Sequence, residues 1–392
     1  MRIALVAHGH HPIVEPYAGG LESFTGHLSQ GLRSRGHHVV LYAAEGTSHA
    51  LADELVTFER SPAHLGERLP LRVPGAPDLV DRSETLAYLG VVSDIADRGR
   101  GIDVVVNHTL QPTVLALSRG LGPGMVVGLH TPALHPVLAA AALADPRTVY
   151  TAVSAATAQA WATLPSPPRV IRNGVDPALF RAGPGGDRLV WVGRMTPEKG
   201  PELAIAAARR AGLPLDLIGP ISAPGWFARV IAPRLGPDVR HLGPLDQQSA
   251  AKVVGASSVC LVTPRWEEPF GLVAAEALMC GTPVVTLDRG GVGEVVGLSG
   301  VRVPCSDAAD HSGAEAEVAA ALARAIPAAA RMDRSGVRAD ALRRLSLDRM
   351  LDQHEELYAE VAGRRQRPSV WTTSPSRSKA ASQPSIGHTP QR

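Results

Sequence analysis

The chain has 392 residues, 45% of them hydrophobic and 19% charged, with a formal net charge of +2. That length exceeds what one hydrophobic core usually serves, so two domains are expected. Setting aside the basic stretch 364–392 leaves 33 basic against 37 acidic residues, which excludes a body built to bind nucleic acid.

Cys260, Cys280 and Cys305 form no CxxC pair, so neither a disulfide nor a zinc framework is implied. The opening "MRIALVAHGH" is too short an apolar run for a signal peptide, and no stretch nears the ~18–20 apolar residues of a membrane span. A soluble, cytoplasmic protein is expected.

In chain order, short Val/Leu/Ile runs alternate with amphipathic or Ala-rich segments. The pattern predicts strand 2–7, helix 20–35, strand 38–43, helix 84–99, strand 103–106, helix 111–119, strand 125–129, helix 133–144, strand 148–153 and helix 155–163. Residues 164–188 are dense in Pro and Gly and read as a junction. Within them "RNGVD" reads as a turn, with Asn173 and Gly174 suited to a left-handed conformation. The alternation then restarts: strand 189–193, helix 201–211, strand 215–218, helix 226–235, strand 239–242, helix 246–254, strand 258–262, helix 271–279 and strand 284–287, with helices near 314–326 and 346–361. Continuously apolar short strands alternating with helices point to α/β architecture with parallel sheets buried on both faces.

The expected organisation is therefore an N-terminal Rossmann-like domain over 1–168 and a second over 169–345. A C-terminal helix over 346–363 and a disordered, basic, Ser/Pro-rich tail over 364–392 complete the chain. Leu347, Met350, Leu351, His354, Leu357, Tyr358 and Val361 fall at helical spacing, so the last helix must bury that face on a domain and could cross back to the first. The tail's charge could meet an anionic membrane surface. Oligomeric state is not legible.

Ligands of doubly wound sheets sit outside the carboxyl ends of the strands. "GRMTPEKG" puts Arg194 and Lys199 just after one such end, with Thr196 as an N-cap and Pro197 in the first helical position. A helix N-terminus with two cations suits a diphosphate. "PRWEEPFGLVAAEALMCGTPVV" places Phe270, Gly271 and Leu272 at another helix start, where bare amides could hold phosphate oxygens. Glu276 leans back toward that start and should bind hydroxyls such as a ribose diol, with Glu268 nearer a transferred group.

On the N-terminal side, His130 ends the strand of "VVGLHTP", and Gly19 and Gly20 open a helix in "YAGGLESF". His8, His10 and His11 cluster without a partner at metal spacing, so no metal is expected. A GxGxxG directly after a strand, a Walker motif and Asp-x-Asp are all absent. Cations would then have to neutralise a diphosphate without a metal held by Asp-x-Asp.

Together "YAGGLESF", "VVGLHTP", "VIRNGVDPALF", "VWVGRMTPEKG" and "EPFGLVAAEALMCGTPVV" resemble glycosyltransferase family four, the retaining enzymes of the GT-B fold, over residues 1–362. Glu268 and Glu276 match the family's Glu-x7-Glu pattern. The resemblance implies two tandem Rossmann-like domains facing a cleft, with the acceptor on the N-terminal side and the donor on the C-terminal side. It assigns Arg194 and Lys199 to the donor diphosphate, Glu276 to the ribose, Glu268 and His130 to the transferred sugar, and Gly19 and Gly20 to the donor's glycine loop. "LIGPIS" at 217–222 lacks the family's second glycine, so no donor contact is carried onto Gly219. The implied reaction moves a sugar from a nucleoside-diphosphate sugar to a hydroxyl of an unknown acceptor, with the anomeric configuration retained and no cofactor. A nucleotide-sugar epimerase of the same fold and a non-catalytic sugar-nucleotide binding protein stay open as alternatives.

Overall fold

The computed structural model describes residues 1–58, 79–109, 111–304 and 315–363; the expected tail 364–392 and Cys305 lie outside the described residues. Two parallel sheets organise the chain. The first contains β1 (Arg2–Val6), β2 (His38–Ala44), β3 (Glu54–Phe58), β4 (Val104–Asn107), β5 (Gly124–Leu129), β6 (Val149–Ala152) and β7 (Arg169–Val170). Their order across the sheet is β3-β2-β1-β4-β5-β6-β7, and every pairing is parallel. The second contains β8 (Leu189–Val192), β9 (Leu215–Ile218), β10 (Val239–His241), β11 (Val259–Val262), β12 (Val284–Leu287) and β13 (Gly300–Val303). Its order is β10-β9-β8-β11-β12-β13, again all parallel.

The central strands form because continuous apolar runs such as Ile3–Val6 and Val104–Val106 can be covered on both faces. Each sheet reverses its winding once, between β1 and β4 and between β8 and β11. Loops leaving those strands diverge and open a crevice at their carboxyl ends. The loops after β1, β8 and β11 carry Gly19 and Gly20, Arg194 and Lys199, and Glu268 to Leu272 respectively.

Three strands escape the sequence pattern: β3, β7 and β13, each at a sheet edge. Edge strands are covered on fewer sides, and their residues are correspondingly mixed: Glu54 and Thr57 in β3, Arg169 in β7, Arg302 in β13. The helix expected over 226–235 is found over 224–234 with uneven winding, α-helical at Pro224–Trp226, π at Phe227–Ile231 and 3₁₀ at Ala232–Arg234. Pro224 occupies the first helical position, where its missing N–H costs nothing, and Pro233 removes a donor near the end, where the winding tightens to 3₁₀. Gly174 does not adopt positive φ. It is small because the backbone of Leu347 passes 2.6 Å from where its Cβ would stand.

The last helix, Leu347–Gly363, lies on the first sheet. Its Met350, Leu351, Leu357, Tyr358 and Val361 share a core with Ile3, Leu5 and Leu28. Arg35 at the end of α1 (Gly20–Ser34) binds Asp348, Asp352 and Glu355 of that helix, and Arg169 binds Glu360.

Candidate functional site

The two loops at the second sheet's reversal are tied to one another. Thr263 Oγ1 accepts from Trp191 Nε1 at 3.0 Å and donates to the Gly200 carbonyl at 2.7 Å. The Arg265 amide donates to the Glu198 carbonyl at 2.8 Å. This bracing brings together residues 69 apart in sequence: Lys199 Nζ donates to Glu268 Oε2 at 2.7 Å. Trp266 Nε1 donates to the same oxygen at 2.9 Å, and the Lys199 ammonium lies 5.1 Å from the Trp266 ring centre. Glu268 is thus a held carboxylate with one oxygen committed. Arg194 is exposed beside Glu198 at 3.6 Å, a second carboxylate that the motif spacing does not single out.

Thr196 does not cap a helix through its side chain. Its hydroxyl donates to Glu198 Oε1 at 2.7 Å, and only a 3₁₀ turn, Pro197–Lys199, follows it. The true helix starts at Pro201, with Gly200 at φ 65 before it. Its tip is not open to a ligand, because Pro201 and Glu202 are buried and Glu202 pairs with Arg265 at 2.6 Å. Arg194 and Lys199 therefore act as side-chain cations, without the helix N-terminus expected beside them.

The open tip on this side belongs to the helix Leu272–Met279. Gly271 precedes it at φ 85, and an added Cβ would meet Val292 Cγ2 at 2.7 Å, so only glycine serves. Leu272 and Glu276 are four apart and share a helix face. Phe270 faces inward, buried in the second unit's core, so its side chain packs the site from behind. Burial pushes the Glu276 carboxyl up to about 8, and among the described residues no side chain pairs with it. Among the described residues no arginine neutralises it.

Across the crevice lies the N-terminus of α1. A Cβ on Gly20 would lie 3.8 Å from Leu272 Cδ2, so the two helix tips face each other. Glu22 folds back against Gly19 and pairs with His8 at 3.1 Å. Burial alone would raise Glu22, but the His8 hydrogen bond and charge hold it below the ordinary carboxylate range. Gly19 and Gly20 therefore do not present a bare anion site: a carboxylate already stands at the tip. The units are also bridged directly. Gln247 bonds His27 and Ser23 (3.1 and 3.0 Å), Ser154 and Thr157 donate to the Pro269 carbonyl (2.6 and 3.1 Å), and the Glu294 carboxylate accepts from the Ala155 and Ala156 amides (2.9 and 2.8 Å).

His130 stands at the end of β5, and its Nε2 lies 2.8 Å from His108 Nδ1. Burial lowers His130 to about 3 and His354 to about 4, and pushes His108 well down, so all three are neutral near pH 7. They line a small cavity with Phe24, Asn173 and Thr151. His108 is not among the residues that the sequence motifs point to. It follows β4 as His130 follows β5, so the strand-end rule applied to "VVVNHT" would have found it. Of the sequence-selected groups, the structure joins Lys199 to Glu268 and faces Gly20 toward Leu272. It does not join Arg194 to either carboxylate of the Glu-x7-Glu pair.

Two parallel α/β units whose reversal loops confront each other across a crevice, one bearing cations and an open helix tip, define the GT-B architecture of sugar transfer. The family model "Glycosyltransferase Family 4" matches residues 18–179 and "Glycosyl transferases group 1" residues 186–325, so the two span both sheets. The chain belongs to the family-four glycosyltransferases. It is 28% identical over 356 residues to glycogen synthase of Mycobacterium tuberculosis, covering 79% of this chain and 84% of that one. It is 34% identical over 175 residues to D-inositol 3-phosphate glycosyltransferase 2 of Catenulispora acidiphila, 37% of this chain and 41% of the relative. Among solved structures, AviGT4, a glycosyltransferase of avilamycin A biosynthesis, aligns with TM-score 0.62 and 24% identity over 92% of this chain and 98% of its own. Anabaena HepE in complex with UDP-glucose aligns with TM-score 0.69 and 20% identity over 92% of this chain and all (100%) of its own.

Among the described residues, no helix is long and apolar enough to cross a membrane.

Proposed function

We propose that the protein transfers a sugar from a nucleoside-diphosphate sugar to a hydroxyl acceptor with the anomeric configuration retained, and without a metal bound by Asp-x-Asp. The observation that carries this reading is the Lys199–Glu268 pair at 2.7 Å, set beside the open tip at Gly271 and Leu272. As the donor breaks, negative charge grows on the leaving diphosphate while the sugar becomes oxocarbenium-like. Lys199, Arg194 and the amides of the Leu272–Met279 tip are the preorganised positive groups that would stabilise the diphosphate, and stabilisation of this kind usually contributes most to the rate.

In this reading Glu276 accepts hydrogen bonds from the ribose diol. Glu268, fixed by Lys199 and Trp266, keeps Oε1 free for the sugar, and His130 approaches the same sugar from the facing unit. Front-face attack with a donor phosphate oxygen taking the acceptor proton is the route the family resemblance supports. Closure of the bridged cleft would exclude water and limit hydrolysis. The complex of HepE with UDP-glucose makes that donor the first to test.

The decisive variant is Lys199→Ala, assayed for acceptor-dependent release of nucleoside diphosphate after thermal-shift screening of UDP, GDP and ADP sugars. Turnover should fall by roughly 10²–10³; a fall of less than about threefold would remove the diphosphate role. Proton NMR of the product should show the donor's anomeric configuration, and a chelator should leave turnover unchanged. Conversion of the free sugar nucleotide without acceptor would instead identify an epimerase. Binding without turnover across an acceptor panel would indicate a binding protein.

A further inference from the structure

We propose that His108 is a positioning residue that fixes the tautomer of His130, so that His130 meets the cleft as an N–H donor with no free lone pair. This rests on the reading that His130 faces the transferred sugar. His108 Nδ1 and His130 Nε2 lie 2.8 Å apart, so one nitrogen must donate and the other accept. His108 is 1% exposed, and its Nε2 has no partner among the described residues. A proton on that Nε2 would be a buried, orphaned N–H, which native structures rarely tolerate. A proton on Nδ1 leaves only a bare lone pair inside and makes His108 the donor. Neutral His130, accepting at Nε2, then carries its own proton on Nδ1. The Nδ1 of His130 is not among the buried unpaired atoms, and the residue keeps partial exposure.

Independent features build this contact. A Cβ on Gly128 would stand 2.1 Å from His108 Nδ1 and 2.9 Å from His130 Nε2, so any side chain there would collide with the paired imidazoles. Glycine in the middle of a strand normally weakens it, so its presence here is accounted for by the space the two imidazoles need. The Phe24 ring packs on both, with centroids 5.1 Å from His108 and 4.6 Å from His130. The cavity beside them also holds Asn173, whose Oδ1 can only accept and lacks a partner. The consequence is chemical: His130 can hydrogen-bond a sugar oxygen but cannot take the acceptor's proton.

The test is long-range ¹H–¹⁵N NMR of the full chain labelled with ¹⁵N-histidine at pH 7.5, with His130 assigned through His130→Ala. The expected spectrum shows His130 protonated at Nδ1 with an unprotonated Nε2. His108→Leu should lose that signature and lower kcat/KM about five- to tenfold. His108→Asn, whose amide can stand where Nδ1–H stood, should restore both. Gly128→Ala should abolish the signature without changing either imidazole, which guards against a misfolded His108→Leu. A protonated Nε2 on His130 in the parent would overturn the proposal, as would undiminished kcat/KM in His108→Leu. Unchanged turnover in His130→Ala, with the Nδ1–H signature intact in the parent, would instead overturn the sugar-facing role of His130 and leave the pair as structure only.

Discussion

Replacing Glu276 by glutamine tests the idea that a carboxylate is stored unpaired for a ligand. Burial raises this carboxyl from 4.5 to about 8. Between those values the folded protein binds a proton that the unfolded chain has released, so stability falls as pH rises. The contribution is fully present below about 4.5 and lost above about 8. The full shift converts to about 5 kcal/mol at ~1.4 kcal/mol per unit. The side chain is only partly enclosed, so water reduces this to roughly 2–4 kcal/mol. A glutamine amide cannot ionise and escapes the cost. Without nucleotide, Glu276→Gln should match the parent at pH 5 and exceed its melting temperature by several degrees at pH 8.5. With donor sugar the order should reverse, because glutamine offers the ribose a weaker, neutral acceptor. Thermal melts across this range, with and without UDP-glucose, measure both effects. A parent more stable than the variant at pH 8.5 without ligand, or a gap independent of pH, would refute the reasoning.

Other outcomes follow from the same geometry. If donor hydroxyls bind the ionised Glu276, donor affinity should rise with pH up to about 8 and then level off; calorimetric titration from pH 6 to 9 checks this, and flat affinity would count against the ribose contact. Gly271→Ala forces a side chain into positive φ and onto Val292, so denaturant unfolding should show a loss of about 2–4 kcal/mol. Tyr358→Phe removes a buried hydroxyl that has no partner among the described residues, and should stabilise the chain by about 1 kcal/mol in the same assay. Destabilisation by Tyr358→Phe would reveal an unseen partner for that hydroxyl.

Local chemistry was sufficient for much of this protein. Continuously apolar runs marked the central strands because those strands are covered on both faces, whatever the rest of the chain does. The seven-residue pattern on the last helix marked a buried face for the same reason. Edge strands β3, β7 and β13 were not legible, since half-covered strands tolerate Glu54, Arg169 and Arg302 and lose the apolar signal. Thr196 read as a cap because the sequence shows a residue's capacity to hydrogen-bond, not which partner is nearer; Glu198 won. The pairing of Lys199 with Glu268, of His108 with His130, and of the α1 tip with Leu272 was settled only by tertiary structure. Those contacts depend on strand order, and strand order is a choice among packings of whole elements that no local stretch of residues encodes.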